Sequence, residues 1–288
     1  MAIGLPSRRS RALPTWLSTA VAATLGLVIW GAAQPATARP LDIHLERLAD
    51  ARVNPTEKLE CQTCQTLLRE VGLAMGSRMV GPAASLGPLG VEAAYEVSFV
   101  QVNSKASYWQ RAVDQPQASL TTGQVRVRKG LPFSMQLGTV LSYLGDSNMW
   151  GIGMELNLSL VDGFRKIPDL SVRLNGTTVL GNSDMSMVVF GGDGVLSKSF
   201  GIAGLLSLQP WAGYSFATTY VKSNQIPVFP DAFSTRPELL FMKQFFAYSH
   251  RAAFGLRVIL TRVQIGAEFL RSFTEDLNVT TAKIGVAF

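Results

Sequence analysis

The chain is poor in the residues that most enzymes and metal proteins depend on. It holds two cysteines, Cys61 and Cys64, and two histidines, His44 and His250, in 288 residues. No G-x-S-x-G, metal-ligand cluster or phosphate-binding loop occurs. Charged residues make up only 16%. After the first forty positions there is no run of 18 uncharged apolar residues, which excludes an ordinary transmembrane helix there. Yet 47% of the residues are hydrophobic and the mean hydropathy is +0.21. Apolarity without a long apolar run means apolar residues at alternate positions, which is how a membrane barrel carries its lipid-facing surface.

Residues 1–38 read as a cleaved export signal. Arg8, Arg9 and Arg11 form a positive start, Leu17 to Ala33 is apolar, and Ala36-Thr37-Ala38 is a small-x-small cleavage pattern. The leader holds three of the 26 basic residues and none of the 20 acidic ones, so the remainder carries 23 against 20, or about +3. With no basic block above that balance, nucleic acid is excluded as a partner.

From Val91 onward the residues alternate with period 2, as strands do. Val91, Ala93, Tyr95, Val97 and Phe99 share one face, with Glu92, Glu96 and Ser98 opposite. The fourth such stretch sets Trp150, Ile152, Met154, Leu156, Leu158 and Leu160 against Gly151, Gly153, Glu155, Asn157 and Ser159. Ten stretches of this kind predict an all-β, up-and-down antiparallel transmembrane barrel over 91–288, with eight or twelve strands as the alternatives. If the first strand leaves the periplasm, connections 103–119, 145–148, 176–184, 222–246 and 272–276 lie outside. Connections 129–132, 162–169, 197–201 and 261–262 then lie inside, and the longest fall in the outer set. Pro210 sits within the seventh stretch and predicts either a bulge or a strand boundary there, because proline cannot donate to a ladder. Phe133, Tyr143, Trp150, Phe164, Tyr220 and Phe288 suit interfacial girdles.

The last stretch, LNVTTAKIGVAF, places Ile284, Val286 and Phe288 on one face and Thr281, Lys283 and Gly285 on the other. It resembles the closing strand of Gram-negative outer-membrane barrels, whose terminal aromatic is read by the barrel insertion machinery. Ile284, Val286 and Phe288 are therefore the expected insertion signal.

Residues 39–90 predict a short helical periplasmic segment or a plug before the barrel. Leu41 to Arg52 suits one helix, and Asn54-Pro55 opens a second as N-cap and first turn. The C-x-x-C of Cys61 and Cys64 admits a redox site, half a metal site or a haem attachment site. The βαβ context, the further ligands and the His after Cys64 that these require are missing. In an oxidising periplasm a small disulfide is the expected state. No metal and no cofactor is expected.

The inward positions carry both signs of charge: Glu92, Glu96, Glu155, Asp193 and Glu268 with Arg126, Arg128, Arg173, Arg251, Arg257 and Lys283. A ten-strand barrel is narrow, so these groups should pair into a network within a filled or constricted lumen. A catalytic set is not expected. Ser249 and His250 are adjacent on a strand and point to opposite faces, although His250 is within reach of the loop that holds Asp231. Ten-stranded outer-membrane proteases use an Asp/His pair and an Asp pair on outer loops, which two histidines so placed do not supply.

Four runs, RKGLPFSMQLG (128–138), SNMWGIGMEL (147–156), GFRKIPDLSVR (163–173) and LSKSFGIAG (196–204), resemble a group of outer-membrane barrels from myxobacteria and related Gram-negatives. The resemblance implies a location in the bacterial outer membrane and an architecture, but no activity. The expected role is an envelope scaffold or a component of a multi-protein machine for secretion, motility or surface attachment. The alternative is a narrow or gated small-solute channel. Partners would be outer-membrane lipid, the insertion machinery and other envelope proteins.

Overall fold

The computed structural model describes residues 39–48, 62–164, 166–202, 206–224, 226–228, 238–240 and 244–288. The leader, the Asn54-Pro55 helix start, Cys61 and Asp231 lie outside these residues.

The alternating stretches form ten barrel strands: β1 (Val91–Gln101), β2 (Ser119–Leu131), β3 (Met135–Leu144), β4 (Trp150–Val161), β5 (Asp169–Leu180), β6 (Met185–Ser197), β7 (Leu206–Ser223), β8 (Phe245–Leu260), β9 (Val263–Ser272) and β10 (Leu277–Ala287). Each pairs antiparallel with the next, and β10 pairs with β1 from Glu92↔Ala287 to Val100↔Val279, so the sheet has no edge. Closure is what lets a sheet cross a bilayer, since every main-chain polar group finds a partner within the ring. Phe200–Ile202 adds a short strand beside β7, and Ile226–Val228 with Glu238–Leu240 forms a separate hairpin.

Side chains alternate in and out with few exceptions. Between strand ends the outward set is uncharged, as in Tyr95, Val125, Leu137, Met154, Leu174 and Ile265, all exposed. In the same strands Glu92, Glu96, Arg126, Arg128, Glu155 and Arg173 turn inward and are buried. An apolar belt outside and ionised groups within is the inverse of a soluble protein, and only a lipid surround makes it stable.

Two strand ends differ from the sequence expectation. Asn175-Gly176 reads as a turn, but β5 runs on to Leu180 because Thr177 and Val179 resume the inward face. Pro210 does not bulge its own strand, whose pairing to β8 is regular. Its carbonyl accepts from Lys198 N–H at 3.2 Å, just where β6 gives way to the short strand. The missing donor faces that break.

The two ends of the barrel are unlike. Connections 102–118, 145–149, 181–184 and 273–276, with the hairpin of Ile226–Val228 and Glu238–Leu240, gather at the long-loop end, and 132–134, 162–164, 166–168 and 261–262 at the short-turn end. The chain enters β1 and leaves β10 at the short-turn end, where Val91 and Phe288 exchange N–H···O bonds of 3.0 and 2.9 Å.

The segment before the barrel was open between a periplasmic placement and a plug. Its described part lies over and inside the barrel. Residues 39–48 cross the long-loop end. They are extended rather than helical, closing with a single 3-10 turn, Leu45–Arg47. The reason is local: Leu41, Ile43 and Leu45 are buried at alternate positions, a strand period. Asp42 accepts from Asn148 N–H and Nδ2, both at 2.7 Å, and Leu45 N–H donates to Asp184 at 3.1 Å. Helix α1 (Gln62–Met75) then occupies the lumen, and an extended strap, 76–90, leads on to β1. A second helix, α2 (Ser107–Ala112), lies in the β1–β2 loop that the sequence presents as merely polar.

Candidate functional site

The lumen has two chambers, and only one is visible as a charge pattern in the sequence. Toward the long-loop end the inward residues are apolar: Val100, Leu120, Leu144, Val179, Met187, Val189, Val221, Leu270 and Val279. They receive Leu67, Leu68, Val71 and Met75 of α1, each fully buried. A side chain of this kind contributes about 1.5–3 kcal/mol on burial, so the helix is held by packing. The approach is close on one side. A Cβ on Gly72 would stand 2.4 Å from Oγ1 of Thr219 on β7.

The mouth of this chamber is latched by a polar contact that the sequence reading missed. Glu70 on α1 is buried and accepts from Tyr108 Oη at 2.7 Å and Trp109 Nε1 at 2.6 Å, both on α2. Burial pushes the Glu70 carboxyl above the ordinary glutamate range. The two hydrogen bonds oppose the shift, and the nearby charge of Glu275 adds to it. An aromatic pair inside a polar loop was the available signal.

Toward the short-turn end the chamber is ionic. Glu155 lies among three arginines: Oε2 accepts from Arg126 Nη1 and, at 2.9 Å, from Arg173 Nη1, while Oε1 accepts from Arg128 Nε. Arg126 also forks onto both oxygens of Glu96 at 2.9 Å, and Arg173 Nε reaches Asp193 at 2.7 Å. Lys283 joins Glu92 at 2.5 Å, and Arg257 stands 3.5 Å from the same carboxylate. Arg257 is held more closely by Gln209, at 2.8 and 2.6 Å. Glu268 makes no ion pair among the described residues; it accepts the N–H of Val80 on the strap at 2.7 Å.

The strap is thus held by its main chain. Its Arg78 carbonyl takes bonds from Arg173 at 2.6 Å and Arg126 at 3.2 Å, and its Val80 carbonyl from Lys283 at 3.1 Å. Ala83 N–H donates to Ser197 at 2.9 Å, and its carbonyl accepts from Ser159 at 2.7 Å. These partners come from β2, β4, β5, β6, β9 and β10, so the strap is tied around the circumference. At the exit Gly130 is required, since a Cβ there would lie 1.8 Å from the Gly87 carbonyl. Arg78, absent from the expected network, sends its own guanidinium back to the carbonyls of Leu73 and Ala74, at 2.5 and 3.0 Å, and closes the helix end.

Closed ring, apolar exterior, ionic interior and a chain-threaded lumen together decide the class. The fold is that of a bacterial outer-membrane β-barrel. Its apolar belt places it in that membrane. Similar solved structures include the N-terminal β-barrel domain of Pseudomonas aeruginosa OprF, at 11% identity over 70% of this chain and 99% of that chain, with TM-score 0.31. The Acinetobacter baumannii outer membrane protein Omp33 gives 10% identity, 69% and 98% coverage and 0.30. The KdgM porin gives 8%, 69% and 99%, and 0.32. At these scores the likeness adds no weight, and the class stands on topology and on the two faces of the wall. No protein-family model matches the chain, and no curated protein matches it.

The remaining expected residues are placed as follows. Ser249 faces the lumen and donates to Glu275 at 2.8 Å, while His250 faces out, 2.9 Å from Tyr214 Oη. They lie on opposite sides of the wall. Ile284 and Phe288 are exposed, and Val286 is half-buried, on the outer surface of β10 and its end. Cys64 is buried on α1 near the long-loop mouth.

Proposed function

We propose that this barrel works through its two ends as an envelope scaffold, or as a component of a multi-protein machine for secretion, motility or surface attachment, and that it is neither an enzyme nor a diffusion pore. One observation carries the reading: side chains from six wall strands grip the main chain of the strap across the lumen. Such bonds use the strap's peptide groups, so a strap of almost any sequence would be retained. The loops and residues 39–48 at the long-loop end then form the contact surface, turned outward from the cell. Residues 1–38 serve as the cleaved leader, and Ile284, Val286 and Phe288 as the insertion signal. The likeness of the central runs to the myxobacterial group adds a lineage to this reading and no activity.

Planar-bilayer recording of the purified protein tests it. The intact protein should give no sustained conductance, and a variant lacking residues 39–90 should conduct. Steady conductance of the intact protein would instead establish the second reading, a narrow or gated small-solute channel. One observation favours that second reading: Thr122, Thr177, Ser215 and Arg251 each bury a polar atom with no partner in the described chain, as along a wetted path.

We also propose a disulfide between Cys61 and Cys64 in the oxidising periplasm. Alkylation of the denatured, unreduced protein should label no thiol, and prior reduction should expose two.

A further inference from the structure

The short-turn rim carries cations that no carboxylate neutralises among the described residues. Lys129, Lys166 and Arg262 are exposed and Lys198 is half-buried. Their partners are neutral. Lys198 Nζ donates to the carbonyls of Phe164 and Ile167, both at 2.7 Å, and Lys129 Nζ to those of Pro88 and Gly90, at 3.3 and 3.5 Å. The Arg262 guanidinium lies 5.5 Å from the ring centroid of Phe288. The nearby acids are engaged by main chain: Asp162 accepts from Ser85 N–H at 2.9 Å, and Asp169 from Gly163 N–H at 3.0 Å. At the opposite end the picture is mixed: Arg47 pairs with Asp114 at 2.7 Å and Arg271 pairs with Asp276, while Arg39 and Arg111 also meet neutral oxygens.

A second observation concerns the tip of the β2–β3 turn. Phe133 has φ +63° and Ser134 φ +55°, a left-handed pair that asparagine and glycine would adopt with less strain. The result is a phenylalanine that is 89% exposed, at the same end of the barrel as the exposed Phe164 of the β4–β5 turn. Exposed aromatic rings among cations at the edge of an apolar belt suit the headgroup level of a bilayer.

We propose that this rim binds the phosphates of anionic phospholipids in the leaflet it faces. Lys129, Lys166 and Arg262 meet the phosphates. Lys198 holds the β4–β5 turn that presents Lys166, and Phe133 and Phe164 seat at the acyl boundary. The proposal rests on the membrane-spanning fold and is independent of the scaffold reading.

The test is native mass spectrometry of the purified protein released from nanodiscs of phosphatidylcholine mixed with phosphatidylglycerol. A basic residue near an anionic surface is worth about fivefold in affinity. Phosphatidylglycerol should be retained over phosphatidylcholine, and Lys166→Gln should lower that preference about fivefold. The combined variant Lys129→Gln, Lys166→Gln, Arg262→Gln should abolish it, while Lys222→Gln at the other end should leave it unchanged. Heat-modifiable migration checks that each variant is folded; the single Lys166→Gln decides the matter should the triple variant fail. Equal retention of the two lipids by the unaltered protein, or a preference that survives Lys166→Gln undiminished, would overturn the proposal. So would stripping of the phosphatidylglycerol by excess inorganic phosphate, which would mark a free-phosphate site.

Discussion

The main-chain carbonyl of Arg78 accepts a hydrogen bond from Nη1 of Arg173 at 2.6 Å, while the Arg78 side chain closes the end of α1. One residue therefore ends the helix and fastens the strap, through different atoms. The two roles are separable. Arg78→Met keeps the carbonyl and removes the guanidinium, so the strap should stay tied while the helix end frays. Charge-assisted bonds of this kind contribute about 1.5–3 kcal/mol. The expected result is a lower midpoint for loss of the compact band on heating, with early protease cleavage in α1. Unchanged cleavage would remove the guanidinium from the account.

Glu155 is the hub of the ionic chamber, and its loss should be the most damaging single change there. Truncation to alanine leaves Arg126, Arg128 and Arg173 facing one another inside the barrel. Removing one partner from a buried pair costs about 3–5 kcal/mol. Glu155→Ala should lower the denaturant midpoint accordingly, and Glu155→Gln should fall between. Since an apolar replacement of a buried ion pair can be neutral, the matched variant Glu155→Leu with Arg128→Met, which leaves Arg126 on Glu96 and Arg173 on Asp193, should recover part of the loss. Urea titration followed by gel migration measures all three.

The wall was legible because lipid and lumen impose opposite demands on successive residues. Glu155 between Met154 and Leu156, or Arg126 between Val125 and Val127, admits one facing only. The plug was not legible in the same way. The strap is gripped through peptide groups that every residue has, so nothing in Gly76 to Gly90 announces which carbonyl meets Arg173. The apolar chamber was hidden for a related reason. Val100, Leu120 and Val279 face inward beside outward residues such as Phe99 and Thr280, and an apolar residue on the inner face is not marked by a cost. Charge reports its own facing, whereas hydrophobicity reports facing only when the other side is polar.

Gly72 meets β7 at the tightest point of the plug. A side chain there must displace Thr219 or the helix, because the added Cβ would stand 2.4 Å from Oγ1 and 2.8 Å from Cγ2. Overpacking of this kind costs about 1–3 kcal/mol. Gly72→Leu should destabilise the folded band and, with the helix pushed off the wall, admit conductance bursts absent from the unaltered barrel. Gly72→Ala combined with Thr219→Ala should restore both stability and silence. A Gly72→Leu barrel as stable and as silent as the parent would show that the lumen gives way there.

The contact of Glu70 with Tyr108 and Trp109 should make the long-loop latch sensitive to pH, and the sign follows from the direction of the shift. Burial raises the Glu70 carboxyl above its unfolded value, so the folded state favours the protonated acid. That contribution is fully present below the unfolded value of about 4.3 and is lost as pH rises through the raised folded value. The unaltered protein should therefore lose stability relative to Glu70→Gln as pH climbs from acid to neutral, because glutamine keeps an acceptor and carries no charge. The difference between the two midpoints, rather than either alone, isolates Glu70 from the other carboxylates. A difference that stays flat across the range would mean that the two hydrogen bonds just offset the cost of burial, and one that widens in the unaltered protein's favour at neutral pH that they outweigh it and the latch is held by the ionised form.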